Sequence, residues 1–295
     1  MPDASTPTSP SPKDDKQAEQ SNIAKAWQEV KEFCFNLIDL NAGLDREGTI
    51  VNIKNNKKMA GANAWLLMCS IMIASLGLDL NSPAVIIGAM LISPLMSPIL
   101  GIGLGVGIND RKTLGIALRH FGIAIAIALV TSTLYFMISP FGNETSEIIA
   151  RTTPTLLDVA VAFFGGIAGI ISGSRKDKSN AIPGVAIATA LMPPLCVTGF
   201  GIAKGNWVFM YNSFYLFFMN ATFVALATFL IVRFLEFPQK TFANEKDHRR
   251  TQILVTVFSI LMIVPSIYIF SGILQRSRQE AAITGYLDKK FPGAI

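Results

Sequence analysis

The residues whose chemistry stands out are prolines and small hydroxyl side chains set inside apolar sequence. Ser93, Pro94, Ser97 and Pro98 interrupt the apolar run 82–110. Thr189, Pro193, Pro194 and Thr198 interrupt a second run 100 positions on, and Asn220 stands in a third. Proline lacks a backbone N–H, and its ring clashes with the carbonyl four residues earlier. Pro94 and Pro98 act in this way on Met90 and Pro94, and Pro193 and Pro194 on Thr189 and Ala190. A backbone group freed at membrane depth has to be met by a side chain, a water or a ligand, away from lipid. Ser97 suits the cap of a half-helix beginning at Pro98, because proline favours the first helical position, and Pro194 suits the start of its counterpart. Two half-helix N-termini facing the midplane would favour an anion or a carboxylate-bearing solute, and the opposing carbonyls a cation. These nine residues are therefore candidates for solute binding. The plainer alternative is a pair of kinked spans whose freed groups are met by neighbouring helices.

The elements that must position these residues are apolar helices. The chain has 295 residues, 51% of them hydrophobic and 15% charged, and several apolar runs exceed the roughly 18 residues that a spanning helix needs. Seven spans are predicted, at 62–80, 83–108, 114–139, 156–173, 181–203, 207–235 and 251–274. Lys54, Lys57 and Lys58 precede the first span. Arg111 and Lys112 follow the second, Arg175, Lys176 and Lys178 the fourth, and Lys240, Lys246, Arg249 and Arg250 the sixth. The alternate loops carry little beyond Arg151 and Lys204, so the N-terminus is expected in the cytoplasm and the C-terminus outside. Trp65 and Trp207 fall near opposite interfaces, where indoles concentrate.

The two interrupted runs are copies. Pro83, Val85, Ile87, Leu91, Pro94, Leu95, Gly101 and Ile102 recur 100 positions later as Pro183, Val185, Ile187, Leu191, Pro194, Leu195, Gly201 and Ile202. Each copy comprises a plain helix, a broken helix and a longer helix. Three is odd, so the second copy sits upside down relative to the first. The expected fold is an all-α polytopic membrane protein, a 3+3 inverted repeat with two proline-broken helices plus a seventh span.

Around this core, residues 1–22 are polar and expected to be a disordered cytoplasmic tail. Residues 23–61 read as a cytoplasmic amphipathic helix and linker, with Ile23, Trp27, Val30, Cys34, Leu37 and Ile38 on one face. Repeat 1 occupies 62–139 and repeat 2 occupies 156–235. After the seventh span, 275–295 reads as an extracytoplasmic tail that leads into a further domain.

Other chemistries lack residues. Cys34, Cys69 and Cys196 form no CxxC pair, and His120 and His248 are the only histidines, which excludes a zinc site or an HExxH protease. No nucleophile–base constellation for acyl transfer is evident, so no enzyme activity and no cofactor is expected. The modest charge of +5 sits in loops and reports topology, not a nucleic-acid partner. Asp79 and Asp158 fall near the outer ends of their spans. His120 is the one titratable candidate inside a span, with Asn220 opposite it at the 100-residue shift, and the nearby Arg111–Lys112 loop would equally satisfy it. Gly101, Gly103, Gly105 and Gly107, and the row Gly165, Gly169 and Gly173, permit close helix packing.

The run LGLDLNSPAVIIGAMLISPLMSPILGIGLGVGIND, Leu76 to Asp110, together with GANAWLLMCSIMIASLGL before it and ALMPPLCVTG in the second repeat, resembles the domain-of-unknown-function 389 family of prokaryotic membrane proteins. The resemblance extends over most of residues 45–270. It implies a polytopic inner-membrane protein, often with a soluble domain at one end, and implies no activity, substrate or catalytic residue. The sequence thus points to an inner-membrane transporter or channel-like permease for a small solute or anion. It is expected to sit in the bilayer of a prokaryotic plasma membrane, as a homo-oligomer. The alternative is a non-transporting sensor or scaffold with an oligomerising transmembrane core.

Overall fold

The computed structural model describes residues 43–56, 59–175 and 183–240, and isolated positions at 253, 256, 257, 260, 271, 272, 275, 278 and 279; of 56 and 183–190 it describes the backbone alone. The expected tail at 1–22, the amphipathic helix beginning at Ile23, most of the seventh span and the C-terminal tail lie outside the described residues.

Among the described residues nine helices follow one another: α1 (Arg46–Asn56), α2 (Ala62–Asp79), α3 (Pro83–Ile92), α4 (Met96–Gly107), α5 (Arg111–Ile138), α6 (Ser146–Ala150), α7 (Leu156–Gly173), α8 (Pro183–Lys204) and α9 (Trp207–Phe234). Among the described residues the only extended pairing is one antiparallel bridge between Leu44 and Arg175. Among the described residues four helices (α2, α5, α7 and α9) are long and apolar enough to cross a membrane, five if the bent pair of α3 and α4 is one span. The outward surface fits that setting. Trp65, Leu91, Ile138, Leu157, Phe164, Tyr211 and Phe234 are all exposed, a density of large apolar side chains that suits lipid rather than water. The core is one cluster running through Leu67, Ile71, Leu95, Ile99, Leu191, Leu195, Phe200 and Phe217.

Local chemistry sets the helix ends. Asp110 caps α5, accepting from the N–H groups of Lys112 and Thr113. Asn206 caps α9 through Phe209 N–H, and Thr155 and Asp158 form a capping box at α7. Pro83 opens α3, where its missing N–H costs nothing.

Three turns share one design. Gly77, Gly105 and Gly201 each lie five residues before a helix-capping position, Ser82, Asp110 and Asn206, and each glycine carbonyl accepts that residue's N–H at 2.9 Å. The intervening Asn81, Asn109 and Gly205 take left-handed φ of 50°, 58° and 69°. A β-carbon on those same glycines would stand 3.0, 2.8 and 2.5 Å from the backbone nitrogens of Ile86, Leu114 and Met210. Glycine is needed because the returning helix crosses directly over it. These turns join α2 to α3, α4 to α5, and α8 to α9.

Polar contacts gather the helix ends into two groups. At one end, Arg46 Nε donates to Leu235 O beyond α9, Asp45 N to Ser174 O beyond α7, and Lys54 pairs with Asp110 between α4 and α5. At the other, Tyr135 and Ser139 donate to Asp79 Oδ2 at 2.8 and 2.6 Å, Thr145 Oγ1 to Leu78 O, and Asn206 to Glu144. The first end also holds Arg111, Lys112, Arg175 and Lys240 and is called the basic end. Hence α2 and α5 run away from the basic end, and α4, α7 and α9 run toward it. Lengths recur as well: α2 and α7 have 18 residues each, and α5 and α9 have 28 each.

Candidate functional site at the interrupted helix

The first proline cluster does interrupt its helix. α3 stops at Ile92, α4 starts at Met96, and their axes differ by 55°. Ser93 N–H closes α3 by donating to Met90 O at 3.2 Å. Within the gap, Ser93 Oγ accepts the N–H of Leu95 at 3.4 Å, and Ser97 N–H donates to Pro94 O at 3.2 Å. The expectation that Ser97 caps a half-helix beginning at Pro98 is therefore corrected. α4 begins two residues earlier, Ser97 is already helical, and Pro98 lies in the first turn, where its missing N–H leaves no bond unmade. Ser93, Pro94 and Ser97 are partly exposed, while Leu95 and Pro98 are buried.

The second cluster does not break its helix. α8 runs without a gap from Pro183 to Lys204 with Pro193 and Pro194 inside it, so the expected pair of broken helices is one broken and one continuous. Residues 191–200 are buried throughout, so packing holds the rod straight. The first run also has four more residues from Pro83 to the cap at Asp110 than the second has from Pro183 to Asn206. That is about one helical turn, and the first run spends it on the interruption.

The 100-residue shift is accordingly correct only before the break. From Leu95 onward the turns and caps match at a shift of 96. Leu95, Met96, Pro98, Gly103, Gly105 and Asp110 then correspond to Leu191, Met192, Pro194, Gly199, Gly201 and Asn206. Asn220 now matches Ala124 and not His120, and both Asn220 and Ala124 are buried. His120 has a structural partner, its Nδ1 accepting the Met59 N–H at 3.0 Å.

Of the nine candidate residues, the structure puts Ser93, Pro94, Ser97 and Pro98 at the break. Pro193, Pro194 and Thr198 lie within α8, which packs on both α3 and α4. Asn220 lies buried in α9, and the Thr189 side chain is outside the described residues. Cys196 stands beside Ser75 of α2 in the same packed layer.

A polar centre that pattern reading did not single out lies at the basic end. Asp110 is 2% exposed. Its Oδ1 accepts the N–H groups of Lys112 and Thr113 and lies 3.2 Å from Lys240 Nζ. Its Oδ2 accepts Thr113 Oγ1 at 2.8 Å and lies 2.9 Å from Lys54 Nζ. Burial pushes this carboxyl upward, but the Lys54, Thr113 and Lys240 contacts more than reverse that and hold it well below the usual carboxylate range. The cap was legible from Asp110 preceding a helix. The partners, far off at positions 54 and 240, were not.

Residues 90–226 match the model of a family described as Domain of unknown function (DUF389), which bears out the resemblance carried by the Leu76–Asp110 run. The matched region begins within α3 and ends within α9, a narrower stretch than 45–270. An uncharacterized protein of Methanocaldococcus jannaschii, MJ0678, is 27% identical over 169 residues, covering 57% of this chain and 52% of its own length. The chain thus spans about half the length of that relative. No solved structure matches.

Proposed function

We propose that this membrane protein is an inverted-repeat transporter or channel-like permease for a small solute, with the interruption at Ser93–Ser97 as its site. One observation carries the reading. Gly103 of α4 lies against Thr228 of α9, where a β-carbon would stand 2.5 Å from Thr228 Cβ, and Gly199 of α8 lies against Ser132 of α5, where it would stand 2.7 Å from Ser132 Cβ. At the 96-residue shift Gly103 corresponds to Gly199 and Thr228 to Ser132. Residue i of one triplet meets j of the other, and j meets i, as across a two-fold axis. Both hydroxyls also bond their own helix identically, Ser132 to Ala128 O and Thr228 to Val224 O, each at 2.8 Å. Because α2 and α5 run opposite to α7 and α9, the axis of such a pair lies in the membrane plane. Inverted repeats with a discontinuous helix at their interface are a recurring plan of secondary transporters; the step from plan to activity is analogy.

In this reading the site is asymmetric, with one open helix break facing one continuous helix. The break offers the Ser93 and Ser97 hydroxyls and the Met96 N–H at the start of α4, a set that suits a small anion or carboxylate. The basic end faces the cytoplasm of a prokaryotic cell, and the protein works in the plasma membrane as a homo-oligomer. Continuous α8, buried throughout 191–200, favours a second reading, a non-transporting scaffold or sensor. Reconstitution separates the two. Proteoliposomes in iso-osmotic salts of small carboxylates and inorganic anions are expected to swell with a solute preference that protein-free vesicles lack. Indistinguishable swelling across the panel would favour the scaffold.

A further inference from the structure

The segment from Leu44 to Asn56 crosses the basic end and touches both helix triplets. In the second triplet, Asp45 N–H donates to Ser174 O at 2.9 Å, Leu44 bridges to Arg175, and Arg46 Nε donates to Leu235 O at 2.9 Å. In the first, Lys54 pairs with Asp110 in the α4–α5 turn. Lys240, just beyond α9, reaches the same carboxylate and also donates its N–H to Ile108 O at 3.0 Å. A single buried carboxylate of the first triplet therefore holds one cation from the crossing segment and one from the end of the second triplet.

We infer that Leu44–Asn56 is a lid on the basic end, latched by Lys54 on Asp110 beside the Lys240 tie to the same carboxylate, and that it regulates access to the break at Ser93–Ser97. The inference rests on the permease reading. If two inverted triplets rock against each other about a central site, a segment bonded to both at one end keeps that end shut. The character of the bonds suits a latch better than a fixed strut. Among the described side chains of α1 only Thr49 and Ile53 are buried, so little apolar surface anchors the segment. The Lys54 and Lys240 side chains are 34% and 44% exposed, so water and salt can compete for both ammonium groups. Asp110 stays behind as the α5 cap whether the lid is on or off.

The test uses the full chain in vesicles, with Cys34, Cys69 and Cys196 replaced and Ser97→Cys as the sole thiol. The rate of labelling by a membrane-impermeant maleimide applied at the basic end is measured with and without Asp110→Asn. Asparagine caps helices as well as aspartate but gives the two lysines no charge. Labelling is expected to quicken about five- to tenfold, as for the loss of one or two half-exposed ion pairs. The Asp110-containing chain should show a comparable rise in molar salt, and Lys112→Cys, exposed on the same end, should react at an unchanged rate in both. A Ser97→Cys rate that neither Asp110→Asn nor salt alters would overturn the lid and leave the permease reading standing. A thiol at 97 that reacts from neither end in either background, while Lys112→Cys reacts, would overturn the permease reading and the lid with it.

Discussion

Gly199 sits so tightly against Ser132 that an added methyl would press on the Ser132 hydroxyl and stand 2.9 Å from the Thr133 backbone nitrogen. Gly103 bears the corresponding relation to Thr228, with Ala225 O 2.6 Å from its absent β-carbon. These two crossings hold α5 to α8 and α4 to α9, the seams between the triplets. Gly199→Ala should lower stability by about 1–3 kcal/mol, the usual cost of overpacking a close-packed seam. Ser132→Gly on the same chain should recover part of the loss, because the atoms nearest the new methyl are gone. Gly103→Ala should cost a similar amount, and Ser132→Gly should not rescue it. Thermal unfolding of the four variants in one detergent checks this pattern. Rescue of both glycine variants by Ser132→Gly would contradict the pairing.

A contrast between two glycines on either side of one turn tests the hairpin design. Gly105→Ala places a methyl 2.8 Å from Leu114 N, whereas Gly115→Ala meets nothing within 4 Å. Gly105→Ala is expected to destabilise through forced separation of α4 and α5. Gly115→Ala should be neutral or stabilising by up to about 1 kcal/mol, the helix-propensity gain of alanine over glycine. Melting temperatures of the two single variants provide the readout.

Asp110 should give the basic end a defined pH dependence. Its carboxyl is held below the ordinary aspartate value of 3.8, so folding favours the ionised form. The resulting stability is fully present above that ordinary value and is lost as pH falls through the lower, folded value. Lys54 and Lys240 are the charged groups that face it, from α1 and from beyond α9. At pH 7 Asp110→Asn should therefore be less stable than the native chain by about 1 kcal/mol, the partly exposed lysines being screened. The difference should persist at pH 5 and vanish only in strong acid. Denaturation at a series of pH values measures it, and a gap that closed between pH 7 and 5 would contradict the assignment.

The six helical runs expected from 62, 83, 114, 156, 181 and 207 were legible from apolar length, and they start at 62, 83, 111, 156, 183 and 207, the Asp110 cap moving the start of α5 forward. The fate of the prolines was not legible. Pro94 and Pro194 align at a shift of 100 and look equivalent, yet one lies in a gap and the other inside a continuous helix. Local chemistry says only that a proline frees carbonyls. Whether the helix opens depends on spare chain length, present before Asp110 and absent before Asn206, and on tertiary packing such as that which buries residues 191–200. The Asp110 centre escaped pattern reading for a related reason, since its lysines come from distant parts of the chain.

The central claim is that the break between α3 and α4 is reached by water. The most direct measurement is labelling of Ser97→Cys, in a chain otherwise free of cysteine, by impermeant thiol reagents applied separately to each face of the membrane. A permease built around the break predicts reaction from at least one face, slowed by the anion that the protein moves. Absence of reaction from both faces, with thiols at exposed Lys112 and Leu80 reacting normally, would contradict it and leave a closed, packed core.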